Sequence, residues 1–84
     1  MTYNALIVHT DEAWEVSVPD IPGCFTYGST LEEAKAMAKE AIEGMLLGFA
    51  DRGQPLPQPR FKSLVDTYPI DVEMPQAQEH PRSA

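Results

Sequence analysis

Carboxylates are the most abundant groups here that could do chemistry. Asp11, Glu12, Glu15, Asp20, Asp66, Asp71 and Glu73 fall in or beside segments that read as strands and turns. Convergent carboxylates can hold a divalent metal and activate water for hydrolysis. Such a site needs acids rising from strand interiors and a group that positions the water. The first apolar segment, Tyr3 to His9, supplies no acid, and Asp11 and Glu12 fall in a turn. A solvated acidic surface is the better reading, so no metal site is expected. Cys24 could serve as a nucleophile only beside a base. His9 ends a strand and His80 lies in the tail, so a buried structural thiol is the better account of Cys24. Gly23, Gly28, Gly44, Gly48 and Gly53 match neither the dinucleotide nor the Walker spacing. No enzymatic activity and no cofactor are expected.

The elements that would position these residues follow from periodicity. Residues 3–9 read as a strand apolar on both faces, with Tyr3, Ala5 and Ile7 on one and Leu6 and Val8 on the other. A strand of that kind belongs inside a sheet. After the polar turn His9–Glu12, residues 13–18 alternate, with Trp14, Val16 and Val18 sharing a face. The short connection makes the two a hairpin. Pro22-Gly23 fits the centre of a type II turn, and residues 24–27 form a third strand ending at Gly28.

A helix is expected over 31–52. Thr30 and Glu33 have capping-box spacing, and Glu32 and Glu33 favour the positive end of the helix dipole. Leu31, Ala34, Ala38, Ala41, Ile42, Met45 and Phe49 make its apolar stripe, and Gly53 its C-terminal stop. Pro55, Pro57 and Pro59 then stiffen an extended linker. Ile70, Val72 and Met74 alternate with Asp71 and Glu73 as a fourth strand, bracketed by Pro69 and Pro75 at a sheet edge. The expected fold is α+β, in the order β-β-β-α-β. Its small mixed sheet places the first strand between the second and fourth, the fourth parallel to a neighbour after a crossover, and one long helix on one face. Residues 1–75 form this domain and 76–84 a polar tail.

The 84 residues carry 6 Lys and Arg against 13 Asp and Glu, a net charge of −7. That sign disfavours direct nucleic-acid binding and suits a basic protein partner. One free cysteine fits a reducing cytoplasm, and the absence of a long apolar run argues against a membrane span. Two features point to self-association. The sheet face away from the helix is apolar on the first strand. On the helix, Gly44 and Gly48, in line with Met37, suit either close approach of a second chain or tight packing on the chain's own sheet. Leu47 lies opposite the stripe with no internal home. Met37, Gly44, Leu47 and Gly48 are therefore candidates for a homo-oligomer contact.

Taken together, Val18-Pro19-Asp20-Ile21-Pro22-Gly23-Cys24, then Thr30-Leu31-Glu32-Glu33-Ala34, then Gly53-Gln54-Pro55-Leu56-Pro57-Gln58-Pro59 closely resemble the HicB family of bacterial antitoxins over residues 3–75. The resemblance implies a partial RNase H-like fold without nuclease activity. It implies the neutralising half of a type II toxin–antitoxin pair, whose HicA partner is a small basic mRNA interferase inhibited by occlusion. Many family members add a C-terminal DNA-binding domain, and residues 76–84 leave no room for one, so promoter binding would need another protein. An orphan, self-associating domain without a toxin is the alternative. Candidate toxin contacts are Asp11 and Glu12 in the first turn, and Asp20, Ile21, Pro22 and Phe25 around the second. They mix exposed acid with apolar anchors. The opposing view makes Pro22 a turn former and Phe25 a core residue.

Overall fold

The computed structural model describes residues 1–63 and 65–75. The tail 76–84 lies outside the described residues. The elements are β1 (Thr2–His9), β2 (Trp14–Ser17), β3 (Phe25–Gly28), α1 (Leu31–Asp51) and β4 (Thr67–Asp71). The sheet order is β3-β2-β1-β4, so the two-faced β1 lies inside the sheet as its sequence requires. Ile7 faces Val16 and His9 faces Trp14 across β1 and β2, while Ser17 faces Phe25 and Glu15 faces Tyr27 across β2 and β3.

Local chemistry sets each boundary. The β2–β3 connection closes at Ile21-Pro22-Gly23-Cys24, with Gly23 at φ +86° and the Cys24 N–H donating to the Ile21 carbonyl at 3.0 Å. At the start of α1 the Glu33 N–H donates to Thr30 Oγ1 at 3.0 Å, and the Glu33 carboxylate accepts from the Ser29 N–H at 2.6 Å. The reciprocal bond thus reaches one residue further back than in the usual capping box. At the other end Gly53 (φ +68°) donates to Ala50 and Gln54 donates to Phe49, the Schellman arrangement.

Tyr3, Ala5, Ile7, Val16, Val18, Ile70 and Val72 are buried with Ala34, Ala38, Ile42 and Leu46 in one core. The helix presents the i, i+4 row 34-38-42-46 most deeply. Leu31, Ala41, Met45 and Phe49 are partly buried beside it. Leu46, absent from the expected stripe, is a correction. The sequence favours the neighbouring row through Ala41 and Met45, and rotation of the helix about its axis decides between the rows.

Two further expectations are corrected, and one of two open readings is removed. β4 runs antiparallel to β1, with Thr2 facing Asp71 and Leu6 facing Thr67, so the sheet is wholly antiparallel rather than mixed. The cause is the linker. It leaves α1 near the Thr2 end of β1 and runs back along the sheet before β4 begins. Tyr3 Oη donates to the Pro57 carbonyl at 2.6 Å, Asn4 Nδ2 to the Phe61 carbonyl at 2.8 Å, and the Ile7 N–H to the Asp66 carbonyl at 2.9 Å. Pro69 lies inside β4 rather than before it, opposite Asn4, a position open to proline only on an edge strand. Finally, a Cβ built on Gly44 meets nothing within 4 Å, and one on Gly48 meets only the Arg52 side chain. Tight packing on the chain's own sheet therefore does not explain these glycines.

Candidate functional site

One face of the sheet is covered by α1 and the other is not. On the uncovered face the side chains form two cross-strand rows. Val8, Glu15 and Tyr27 make one, and Leu6, Ser17 and Phe25 the other. Phe25 is 72% exposed, Tyr27 68% and Val8 41%. Phe25 is thus a surface residue, not core. The parity of β3 explains this: Thr26 and Gly28 turn toward the helix, so Phe25 and Tyr27 turn away. Gly28 lies so close beneath the helix start that a Cβ there would clash with the Ala34 backbone. The helix therefore fixes which face of β3 carries the aromatics.

Three hollows mark this face. One, of about 380 Å³, is lined by Glu12, Glu15, Phe25 and Tyr27 among others. The second, of about 240 Å³, is bounded by Leu6, Val8, Glu15 and Phe25. Exposed aromatic surface, which protein interfaces favour, thus meets acid in one place. A third hollow, of about 430 Å³, lies near the β4 edge beside Asn4, Lys62 and Thr67.

The candidate contacts do not form one patch. Asp11 and Glu12 are exposed in the β1–β2 turn, whereas Asp20 and Pro22 belong to the β2–β3 turn at the other end of β2. Glu12 and Phe25 do come together, around the larger hollow. Ile21 is 0% exposed and packs the core, so its side chain offers no contact surface. Asp20, partly exposed, also serves the fold. Its Oδ2 accepts the N–H groups of Arg60 (2.9 Å) and Phe61 (2.8 Å), tying the linker to the turn. Leu6 and Val8 follow from the two apolar faces of β1, but the residue pattern alone does not single out Tyr27 and Glu15 as contacts. The signal for them is parity with Phe25 once the β2–β3 register is known. On the helix, Leu47 is 49% exposed and Gly44 open to solvent, while Met37 and Gly48 are half-buried.

Among the described residues the candidate nucleophile Cys24 and the candidate base His9 are not brought together. Burial pushes the Cys24 thiol above its ordinary pKa, which keeps it protonated. His9 stacks on Trp14 with ring centroids 4.2 Å apart, at the end of β1 remote from the Cys24 turn. Burial, with the Asp20 carboxylate nearby, raises the Tyr3 phenol. Bonds from the Glu73 N–H (2.8 Å) and the Lys39 ammonium (2.6 Å) lower the Glu43 carboxyl. Among the described residues no group of three His, Cys, Asp or Glu side chains could hold a metal, and no helix is long and apolar enough to cross a membrane.

A family model described as the HicB-like antitoxin of bacterial toxin–antitoxin systems matches residues 3–78. The chain belongs to the HicB-like antitoxin family. It is 36% identical over 62 residues to Antitoxin HicB 2 of Photorhabdus laumondii, which covers 74% of this chain and 45% of that protein. It is 37% identical to an uncharacterized 14.9 kDa protein of Haemophilus phage HP1, covering 88% of this chain and 62% of that one. The HicB-like chain therefore spans less than two thirds of these relatives. Its fold matches a chain of the solved HicA3 and HicB3 toxin–antitoxin complex with TM-score 0.70 and 26% identity, over 87% of this chain and 99% of that one. The α+β architecture is that of this HicB-like neighbour.

Proposed function

We propose that this HicB-like chain is a non-enzymatic antitoxin that binds and occludes a small, basic HicA-type mRNA interferase in the cytoplasm. The family match over residues 3–78, with a structural neighbour solved as a toxin–antitoxin complex, carries the reading. The net charge of −7 supports it, since opposite potentials speed encounter and disfavour wrong partners. The uncovered sheet face supplies the apolar and acidic surface such a partner needs. The test is co-expression. Toxin alone should arrest growth, and toxin with this chain should not. Growth arrest that persists with both proteins abundant would overturn the reading.

A second reading is favoured by the helix. Leu47 is exposed, and Gly44 has nothing around its Cβ position, so Met37, Gly44, Leu47 and Gly48 suit contact with a second copy. Self-association there is compatible with toxin binding on the sheet. It becomes the whole function only if no toxin is bound. Gly48→Leu should lower the oligomeric state, read by light scattering, while the fold persists.

A further inference from the structure

Glu15 occupies an unusual place. It is the middle residue of the row Val8–Glu15–Tyr27, and it borders two of the three hollows of the uncovered face. Its flanks are apolar or aromatic, and Phe25 lines both hollows with it. Among the described residues the ion pairs are Lys35–Glu32 and Lys39–Glu43, both on the helix, and neither involves Glu15. In the free chain water solvates this carboxylate. A partner that covers Phe25 and Tyr27 must also remove that water. Burying a carboxylate without a counter-charge is costly, so an apolar partner surface would be rejected here. A second copy of this chain would bring acid against acid.

We propose that Glu15 is the electrostatic anchor of the interface and receives an arginine side chain from the toxin, an inference that rests on the antitoxin reading above. The guanidinium lies in the hollow between Glu12, Glu15, Phe25 and Tyr27. Its charge is met by the carboxylates, and its plane stacks against an aromatic ring. A planar, weakly hydrated guanidinium suits that combination better than an ammonium. Glu15 then acts as a specificity filter: apolar area alone does not dock, and cationic surface does.

The experiment measures binding of a catalytically inactive HicA-type toxin to the full chain by titration calorimetry. Glu15→Gln should weaken binding about tenfold and Glu15→Arg at least about a hundredfold, as expected for a charge buried against an opposite one. Glu32→Gln removes the same charge from the helix surface and should change affinity less than about twofold. Circular dichroism should be unchanged throughout, because Glu15 is exposed. Equal toxin binding by wild type, Glu15→Gln and Glu15→Arg would overturn the anchor and leave the antitoxin reading standing. No toxin binding by the wild type would overturn both. An affinity lost equally in Glu32→Gln would also overturn the anchor, because only net charge would then matter.

Discussion

The two faces of the sheet are made by the same strands, yet their residues answer to different demands. Toward the helix, Tyr3, Ala5, Ile7, Val16 and Ile70 are all buried, and α1 contributes small residues, Ala34 and Ala38, where it lies closest. Away from the helix, Val8, Phe25 and Tyr27 stay exposed around the exposed carboxylate of Glu15. The covered face is selected for volume and close approach. The open face keeps apolar surface that contributes little to folding and a charge that stability does not need. If the open face is the toxin-binding surface proposed above, the parity of each strand separates stability from recognition, and substitutions one residue apart should affect different properties.

Neighbours on β3 should separate the two faces most strongly. Gly28→Ala forces a Cβ against the Ala34 backbone, which cannot give way like a side-chain tip. It should cost roughly 3 kcal/mol of stability, read by urea denaturation. Phe25→Ser, three residues earlier on the open face, should change stability by less than about 0.5 kcal/mol. It should weaken toxin binding by about 2 kcal/mol, as loss of an aromatic anchor does. If Phe25→Ser unfolds the chain, the two faces are not separable. Thr30→Ala removes the helix cap and should cost about 1 kcal/mol in stability, with toxin affinity unchanged. The smallest effect concerns pH. The folded state lowers the Glu43 carboxyl below its ordinary value, so its stabilisation is present above that value and lost as pH falls through the lowered one. Glu43→Gln should therefore flatten slightly the acid limb of a plot of Tm against pH, without altering toxin binding at neutral pH.

Much of this organisation is legible in the residues. The two apolar faces of β1 place it inside the sheet, and Thr30 with Glu33 marks the helix start. Gly53 marks its end, and the alternation of Trp14, Val16 and Val18 marks the covered face of β2. What is not legible depends on contacts between distant segments. The direction of β4 follows from where the linker is tied, and those ties join residue 57 to 3, 61 to 4, and 60 and 61 to Asp20. A proline-rich segment read alone indicates stiffness and not its path. Asp20 looks like free acid beside an exposed turn because its partners are backbone groups forty residues away. The first and second turns look close in sequence, but β2 holds them apart. Phe25 and Tyr27 share a face by simple alternation, and the tight approach of Gly28 to the helix determines which face that is.

Docking of the toxin on the uncovered sheet face is best tested by backbone amide chemical shifts. Labelled chain would be recorded with increasing inactive HicA-type toxin. Docking there predicts perturbations concentrated at Val8, Glu12, Glu15, Phe25 and Tyr27, with the outer helix surface around Met37 and Leu47 unmoved. Perturbations centred on Met37, Gly44 and Leu47, with the sheet face silent, would contradict it.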